Sequence, residues 1–409
     1  MFSGRVTAVV LVTLFLLLFL PLFGYNSVEL GVASSSVIRV PQDYSTIREA
    51  IDAANAGDTI LVDSGTYYEQ PIINKSITLI GKGKTTIIDG QGKTFVVLIN
   101  AMDTTIDGFS VTNGSYGIAV NRTTSITIVH NFISNILEDS ICLVESNYSN
   151  IMFNTVSNTS KGVALYSSNK NSLMGNTISS QKDYGIFLHP YVYWWYPPCL
   201  LPSDVRLAGS NGNVIIGNRI DNSCYGIAII ADSVNNTVKR NKISDCQYGI
   251  KLHYADDNKV LQNTVMNNSY SISLNETRNN TIYHNNFVNN TIQVYFSQSY
   301  DFWHNGENEG NYWSDYVGED LNGDGIGDTS LPHQGVDHYP LMEPWTPIPG
   351  DVNFDDKVDI YDIVLMASIY GSKEGDLNWN PDVDLAPLWG KIDIYDLVTC
   401  AYHYGEQKP

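Results

Sequence analysis

A short phrase that recurs at nearly constant spacing is the feature that most limits how this chain can fold. Asparagines that each precede a short apolar segment stand 23, 22 and 22 residues apart, at Asn218, Asn241, Asn263 and Asn285. A second phrase, Tyr-Gly-Ile or Tyr-Ser-Ile, lies between them and begins at Tyr225, Tyr248 and Tyr270. A fixed period of roughly 20–50 residues is typical of a repeat architecture.

Each repeat contains short alternating apolar segments, such as Ile250 and Leu252, separated by Gly, Asn, Asp and Ser. This pattern predicts strands and turns rather than helices. One copy is too short to bury its own apolar face, so the copies must stack. A leucine-rich repeat has a similar period, but the regular leucine lattice is missing. We therefore predict an all-β fold, a right-handed single-stranded parallel β-helix with about three strands per coil. Each repeated asparagine is expected at a corner, in the left-handed conformation, bonded to its equivalent one coil away.

The first 33 residues are interpreted as a signal peptide. Arg5 precedes an apolar run from Val6 to Phe23, and Ala33 with the following serines offers a small-residue cleavage site. This order of basic, apolar and small residues is typical of secretory signals. The apolar run is also long enough to serve as an uncleaved N-terminal membrane anchor, which is the alternative.

The next segment, residues 38–92, contains one helical pattern, from Ser45 to Asn55, followed by predicted strands. A helix at the open end of a stacked β-structure covers edges that no strand pairs with. The segment resembles the N-terminal cap of the pectin-lyase-like β-helix superfamily. The resemblance implies a β-helical domain over residues 34–345.

The spacing of the asparagines widens to 42 between Asn176 and Asn218, which indicates a loop thrown out of the coil at residues 189–212. Exposed aromatic side chains stack on sugar rings or anchor protein partners. The alternative is that they fold back as an apolar plug over a coil. The candidate binding residues of this loop are Tyr191, Tyr193, Trp194, Trp195 and Tyr196.

Residues 299–345 leave the repeat and resemble the C-terminal signature of NosD-type β-helix proteins, which belong to the carbohydrate-binding and sugar-hydrolase group. Within this segment, oxygen-bearing side chains alternate with other residues around a glycine, as in the first part of a calcium loop. The alternative is an acidic turn without metal. The predicted calcium ligands are Asp320, Asn322, Asp324 and Asp328, together with the Ile326 carbonyl.

Residues 346–350 are interpreted as a linker, and residues 351–409 as a small α-helical EF-hand-like module. Val-Asp-Ile-Tyr-Asp at 358–362 returns as Ile-Asp-Ile-Tyr-Asp at 392–396, each followed by an apolar stretch that ends in Tyr-Gly. This duplication resembles a type I dockerin. The resemblance implies calcium binding and a cohesin-like partner.

The first loop of this module matches an EF-hand at positions 1, 3, 5, 7, 9 and 12. The second loop fits only with about three extra residues, and it lacks the acid at position five. Asp356 stands where glycine usually turns the loop, although aspartate tolerates the left-handed conformation. The predicted ligands are Asp351, Asn353, Asp355, the Lys357 carbonyl, Asp359 and Asp362 in the first loop, and Asp382, Asp384, Asp393 and Asp396 in the second.

Charge is distributed very unevenly along the chain. Residues 301–409 hold 22 of the 43 acidic residues but 4 of the 23 basic ones, which leaves a local net charge of −18 out of −20. The β-helix is therefore nearly neutral. Nucleic acid is not a predicted partner, because phosphate binding requires a basic patch.

Five cysteines occur without a CxxC motif, so neither a zinc nor a redox motif is predicted. Cys224 and Cys246 stand one repeat apart, and both a disulfide and a pair of stacked thiols remain open.

Catalytic candidates are sparse. The paired aspartates of polygalacturonases have no counterpart here, since Asp256-Asp257 sits in a predicted turn. His189 and His253 fall at equivalent positions two coils apart, about 10 Å, too far to share one metal. The remaining candidates for acid–base or lyase chemistry are Asp183, His189, Asp245, Lys251 and His253.

The sequence thus predicts a secreted or cell-surface β-helix protein that binds or processes polysaccharide and docks through a calcium-binding tail. A non-catalytic surface or adhesion protein is the first alternative. The resemblance to NosD also implies a third function, periplasmic copper processing. Copper sites need clustered His, Met or Cys, whereas the eight His and seven Met are scattered along the sequence.

Overall fold

The structure, a computed structural model, describes residues 35–190, 208–373, 376, 379–380, 383–386 and 390–408. The predicted signal segment, its anchor alternative, and the aromatic residues Tyr191 to Tyr196 lie outside these ranges. Within them, no helix has the length and apolar character needed to cross a membrane.

The chain forms a parallel β-helix of about twelve coils, with three strands in most coils. The first sheet contains twelve strands, one from each coil. Its strands are β1 (Val37–Val40), β2 (Thr59–Val62), β5 (Thr78–Ile80), β7 (Thr105–Asp107), β9 (Thr127–Val129), β12 (Asn150–Met152), β15 (Ser172–Met174), β18 (Val214–Ile216), β21 (Thr237–Lys239), β24 (Lys259–Leu261), β27 (Arg278–Tyr283) and β30 (Tyr300–Phe302).

Two long strands, β6 (Thr86–Ile99) and β8 (Ser110–Asn121), run through both remaining sheets. The second sheet adds β3 (Gly65–Tyr67), β10 (Phe132–Ile136), β13 (Thr155–Ser157), β16 (Thr177–Ser179), β19 (Arg219–Asp221), β22 (Lys242–Ser244), β25 (Thr264–Met266), β28 (Asn286–Val288) and β31 (Tyr312–Trp313). The third sheet adds β4 (Ile72–Ile73), β11 (Asp139–Val144), β14 (Lys161–Tyr166), β17 (Tyr184–His189), β20 (Tyr225–Ile230), β23 (Tyr248–His253), β26 (Tyr270–Asn275) and β29 (Ile292–Ser297).

The interior is a continuous apolar core in which equivalent residues of successive coils stack. In the third sheet, Ile227 pairs with Ile250 and Ile250 with Ile272, all in parallel register and all buried. Burying one such side chain contributes roughly 1.5–3 kcal/mol. The predicted parallel β-helix with three strands per coil is confirmed.

A short helix, α1 (Ile47–Ala53), begins at Thr46, whose hydroxyl accepts a hydrogen bond from the backbone N–H of Glu49. The prediction of a helix is confirmed, but it is two residues shorter at each end than the predicted Ser45–Asn55, and its N-cap is Thr46, whereas the Ser45 hydroxyl donates to the Glu49 carboxylate. Its buried residues, Ile47, Ala50 and Ile51, join the core at the first coils.

The repeated asparagines form a buried ladder. The Asn218 amide donates to Oδ1 of Asn241 at 2.9 Å, and the same oxygen accepts the backbone N–H of Asn218. The expected left-handed conformation of these asparagines is wrong. The preceding residue makes the turn, as Arg240 does before Asn241 with φ 53°, so that the asparagine side chain can point inward. The ladder comprises Asn131, Asn154, Asn176, Asn218, Asn241, Asn263, Asn285 and Asn311, and ends on Asp337.

A second buried ladder runs beside the first, five residues earlier in each coil. It comprises Asn171, Asn213, Asn236, Asn258 and Asn280, and ends on Asp301. Sequence reasoning missed it, although its members recur with the same period.

The insertion predicted between Asn176 and Asn218 leaves the stacking of the coils intact. The Asn218 oxygen accepts the backbone N–H of Asn176 at 2.9 Å, as between ordinary neighbouring coils. The strands on either side, β17 and β20, pair in parallel register.

Cys224 and Cys246 are both free thiols. The coil at this point is 23 residues long, so that Tyr225 pairs with Tyr248 and Cys224 therefore aligns with Gln247. The Cys224 thiol lies 3.2 Å from the Gln247 side-chain oxygen. The sequence left open a disulfide or two free thiols at these positions, and the structure contains two free thiols.

The tail contains two helices, α2 (Ile360–Ser368) and α3 (Ile394–Tyr402). Each begins with the same capping box: Asp359 with Asp362, and Asp393 with Asp396. The two helices are thus equivalent elements of the predicted duplication. Their shared apolar core contains Ile348, Val352, Val358, Met366, Val383, Ile392 and Cys400.

The tail packs against the β-helix around Arg240. The guanidinium of Arg240 contacts the carboxylates of Asp351 and Asp356, and Lys239 donates to the Phe354 carbonyl at 2.9 Å. The Phe354 ring lies so close to Gly217 that a Cβ there would be 2.6 Å from it. Glycine is therefore required at 217 for this contact.

Candidate functional site

The outward surface of the third sheet carries a stack of tyrosines. The parallel register places Tyr184, Tyr225, Tyr248 and Tyr270 directly beside one another. Their ring centroids are 4.8, 5.0 and 4.7 Å apart, and neighbouring ring planes differ by 15° or less. We call this outward surface, from β17 to β29, the tyrosine face. The recurring Tyr-Gly-Ile phrase is its sequence signal.

The glycine of that phrase allows the strands to pack. A Cβ on Gly226 would lie 2.5 Å from the Gly249 carbonyl oxygen and 2.5 Å from a methyl group of Ile243. Since neither neighbour is the end of a flexible polar chain, a larger residue would push the strands apart. The tyrosines are therefore held at a fixed spacing by a rigid scaffold.

Lys251 is the cation of the tyrosine face. It stands beside Ala228 and Ser273 in the adjacent outward row. Its ammonium group lies 4.8 Å from the ring centre of Tyr225 and 5.6 Å from that of Tyr248. Partial burial lowers the pKa of Lys251. Cation–π contacts of this kind stabilise the charge and fix its position.

The hydroxyl groups of the stacked tyrosines have no hydrogen-bond partner within the described residues. Burial raises the pKa of Tyr184 to about 12 and also raises that of Tyr225. Both therefore keep their protons at neutral pH and can donate as well as accept hydrogen bonds. On β29, Tyr295 stands in the adjacent row of Lys251 and Ser273, and its ring meets that of Tyr270 edge to face at 6.2 Å.

A buried polar cluster lies on β11 and β14 of the same sheet, directly beside the tyrosine stack, since Lys161 pairs with Asp139 on one side and with Tyr184 on the other. The ammonium of Lys161 is 2.8 Å from Asp139, and the Tyr166 hydroxyl donates to the other Asp139 oxygen at 2.9 Å. Burial alone lowers the pKa of Lys161, but Asp139 outweighs it and raises the value. Sequence reasoning missed this cluster, whose signal is the one-coil spacing of 22 between Asp139 and Lys161.

Four of the five predicted catalytic candidates lie at the tyrosine face or its edge. Asp183 accepts a hydrogen bond from the Ser160 hydroxyl at 2.7 Å. His189 stacks on Phe187 at 5.2 Å, and His253 lies 2.8 Å from the Asn275 amide. Lys251 was described above. Burial lowers the pKa of both histidines.

Asp245 is the exception, because it is exposed on the turn before β23 with φ 56°. No hydrogen bond or ion pair connects any two of these five candidates, all of which lie in described ranges. The structure therefore places four of them along one surface and Asp245 apart from it, without assembling an acid–base pair.

The first predicted calcium loop of the tail folds around its carboxylates. Backbone N–H groups of Asp355 and Asp356 donate to Asp351, and those of Val352 and Asn353 donate to Asp362. Asn353 and Asp355 accept from N–H groups two residues on, and Asp359 caps α2. The expected left-handed Asp356 is confirmed, with φ 67°.

In the second loop, Asp382 lies outside the described residues. Asp396 accepts the N–H groups of Leu385 and Ala386, and Asp393 caps α3. Asp384 is buried, and among the described residues of the tail its Oδ1 has no hydrogen-bond partner. A buried carboxylate oxygen without a partner is costly, so this atom fits a site for a cation.

The loop at 320–328 is exposed and turns at Gly325, with φ 86°. Asp320 accepts N–H groups from Gly323 and Gly325, and these bonds, led by that of Gly325, lower its pKa. Asn322, Asp324 and Asp328 also accept backbone N–H groups within the loop. Over all described residues, no three His, Cys, Asp or Glu side chains are gathered as a metal-binding group.

Comparison with known protein families shows to which family the chain belongs. The family model described as "Periplasmic copper-binding protein (NosD)" matches residues 51–192 and 203–318, more than half of the sequence. The chain belongs to the NosD family. The matched residues include every strand of the tyrosine face.

Among proteins similar to this NosD-family member, a cell surface glycoprotein of Methanothermus fervidus is 32% identical over 107 residues. The match covers 26% of this chain and 18% of that protein, well under two thirds of the relative's length. ORF18 of Geobacillus virus E2 is 14% identical over 65% of this chain and 60% of its own, with a TM-score of 0.52. XylC in complex with xylose is 11% identical over 64% and 69%, with a TM-score of 0.49. The ORF18 match supports a similar fold and nothing about function.

The described side chains of this NosD-family protein do not fit a copper site. Four histidines face single carboxylates at 2.8–3.1 Å: His130 with Asp107, His284 with Glu309, His333 with Asp315, and His403 with Glu406. Copper requires several His, Met or Cys ligands at one point, and in the described ranges no three His, Cys, Asp or Glu side chains come together.

Proposed function

We propose that this protein is exported, acts at the cell surface or in the extracellular space, and binds polysaccharide along the tyrosine face. The observation that carries the proposal is the stack of Tyr184, Tyr225, Tyr248 and Tyr270 with Lys251 above two of its rings. The location is supported by the family description and by the cell surface relative.

The tyrosine face suits an extended polymer that lies along the helix axis. Its hydroxyl groups repeat at the coil spacing, about 4.8 Å, and no side chain or backbone group of the described residues occupies them. The rings stack on each other, so a sugar chain contacts hydroxyls and ring edges. Lys251 adds a donor at a fixed place. Binding is favoured over hydrolysis or lyase chemistry, because the catalytic candidates remain separate.

The proposal is tested by glycan-array and polysaccharide co-sedimentation assays on the whole protein. The double variant Tyr225→Phe/Tyr248→Phe keeps the ring stack and removes two hydroxyls. We expect its affinity to fall about tenfold, since each lost hydrogen bond is worth roughly 0.5–1.5 kcal/mol. Tyr148→Ala is the matched control, because Tyr148 is exposed on the turn before β12, outside the strands from β17 to β29 that form the tyrosine face. Blank arrays and no depolymerisation would reject the proposal in favour of an adhesive or spacer role.

We also propose that the tail binds calcium through the two duplicated loops and docks to a cohesin-like partner. The unpartnered oxygen of Asp384 supports a cation in the second loop. Most of the loop carboxylates accept hydrogen bonds from backbone N–H groups in this structure. To bind calcium, their oxygens must move closer to one another so that several of them contact the ion. The helices also expose equivalent apolar residues: Ile360, Tyr361 and Val364 on α2, and Ile394, Tyr395 and Val398 on α3.

Calorimetry of the full chain with calcium chloride tests the metal, and a pull-down with calcium or chelator tests the partner. We expect binding to weaken in Asp362→Asn and in Asp396→Asn. Asp103→Asn, an exposed substitution on a β-helix turn, is the control. Heat signals equal to those of buffer alone would reject the calcium proposal, and with it the calcium-dependent docking.

A further inference from the structure

A cleft opens at the edge of the tyrosine face, where β20, β23, β26 and β29 end. Its volume is about 380 Å³. It is lined by Asp232, Tyr254, Asp256, Glu276, Arg278, Gln298 and Tyr300. Tyr254, Glu276 and Gln298 each follow directly on the last residue of a face strand. The cleft therefore shares the coils of β20, β23 and β26 with the tyrosine stack and lies at the other end of these strands.

The repeat itself builds the cleft. One row of lining residues, from Asp232 to Gln298, recurs every 22 residues, and its members adopt φ values between 50° and 59°. Each of these residues makes the turn after its strand. Because the coils stack in register, their side chains lie in one row, and the row carries a different residue type in each coil.

Two tyrosine rings flank the polar groups of the cleft. Tyr300 is 73% exposed and Tyr254 is 47% exposed, whereas most aromatic rings of a folded protein are more deeply buried. The Tyr254 hydroxyl donates to Glu276 at 2.5 Å, and its ring meets that of His253 edge to face at 4.5 Å. Half-exposed aromatic rings beside fixed acceptors are suited to a ligand that has both apolar faces and hydroxyl groups.

The charge of the cleft restricts that ligand. Its lining has the carboxylates of Asp232, Asp256 and Glu276 against the single guanidinium of Arg278. These carboxylates do not form a group that could hold a metal ion. Uncompensated carboxylates repel anions and accept strong hydrogen bonds from hydroxyl or ammonium groups.

We propose that this cleft is a sugar-binding subsite that selects neutral or amino sugars and rejects uronates. The inference rests on the proposed polysaccharide-binding function and names its substrate class. A sugar chain bound at the tyrosine stack reaches the cleft by crossing the face along the strand direction, about 20 Å over six residues, and its residue there contacts Tyr254 and Tyr300. Sugar hydroxyls, or the ammonium of an amino sugar, then donate to Asp256 and Glu276.

The test is an array of immobilised hexasaccharides of equal length, with neutral glucan, chitosan and oligogalacturonate probes, applied to the full chain. We expect retention on the neutral or chitosan probe and none on oligogalacturonate. Tyr254→Ala/Tyr300→Ala should lower the retained affinity at least tenfold, and Tyr148→Ala should leave it unchanged. Asp256→Asn/Glu276→Gln should raise binding to oligogalacturonate relative to wild type. The thermal midpoint of each variant shows whether it folds.

The outcomes separate the two proposals. Retention of oligogalacturonate in preference to the other probes overturns the substrate class while polysaccharide binding stands. Unchanged affinity of a folded Tyr254→Ala/Tyr300→Ala variant overturns the subsite in the same way. A protein that binds no polysaccharide at all overturns the proposed function and this inference together.

Discussion

The guanidinium of Arg240 lies 2.6 Å from the carboxylate of Asp351, although 111 residues separate the two in sequence. Both side chains are nearly or fully buried, with 5% and 0% of their surface exposed. Asp356 shares the same guanidinium at 2.7 Å. This contact attaches the tail to the flank of the β-helix.

Substitution Arg240→Ala should therefore release the tail. Breaking one partner of a buried pair costs about 3–5 kcal/mol, because the other charge remains buried and unpaired. We expect faster amide hydrogen exchange in residues 351–368 and little change in the coils. Exposed Arg48 on α1 offers a matched control as Arg48→Ala. Equal exchange in wild type and Arg240→Ala would contradict the role of this contact.

The same substitution should alter calcium affinity, because Asp351 is the first predicted ligand of its loop. Arg240 places a positive charge within hydrogen-bonding distance of that carboxylate. A nearby cation weakens the binding of another cation through Coulomb repulsion. Titration calorimetry of the full chain is expected to show severalfold tighter calcium binding in Arg240→Ala than in Arg48→Ala. Unchanged or weaker binding would show that the guanidinium does not oppose the metal.

Much of the fold could be predicted because each repeat carries its own apolar pattern. The spacing from Asn218 to Asn285 fixes the coil length, and a 42-residue step still places Asn176 beside Asn218. The conformation of the asparagines could not be taken from residue preference alone. Inward hydrogen bonding decides it, so the left-handed turn falls on the residue before, such as Arg240.

The candidate site and the contact with the tail were less predictable, because they join residues of different coils or join the β-helix to the tail. The tyrosine phrase was visible, but the stacking of Tyr225 on Tyr248 depends on the register between strands. The contact of Asp139 with Lys161 and Tyr166 has a one-coil spacing that sequence reasoning did not use. The Arg240–Asp351 contact carries no local signal, since it depends on where the tail comes to rest.

The asparagine ladder should contribute strongly to stability. Oδ1 of Asn241 accepts two hydrogen bonds from Asn218, and its amide donates to Asn263, Ile215 and Lys239. Substitution Asn241→Ala leaves these buried groups unsatisfied, at about 1–3 kcal/mol for each uncompensated group. We expect a loss of several kcal/mol in the free energy of unfolding, measured by urea denaturation. The exposed Asn150 on β12 supplies the control Asn150→Ala, and a loss no larger than in that control would contradict the ladder's structural role.

A pH-dependent part of the stability should come from His284. Its Nε2 lies 2.8 Å from Glu309, and its ring stacks on Trp345 at 6.2 Å. The pKa of His284 is lowered, chiefly by burial of its ring. Glu309 and Asp356 act in the opposite direction and raise the pKa, whereas Lys408 lowers it further, and the effect of burial is the largest.

A histidine with a lowered folded pKa stabilises the fold fully above its ordinary pKa of about 6.5, and that contribution is lost as pH falls through the lowered value. Wild type should therefore lose more stability between neutral pH and pH of about 5 than His284→Gln, whose amide can still donate to Glu309 but cannot take up a proton. Urea unfolding of both proteins across this range measures the difference. Parallel pH profiles would show that the proton affinity of His284 does not change on folding.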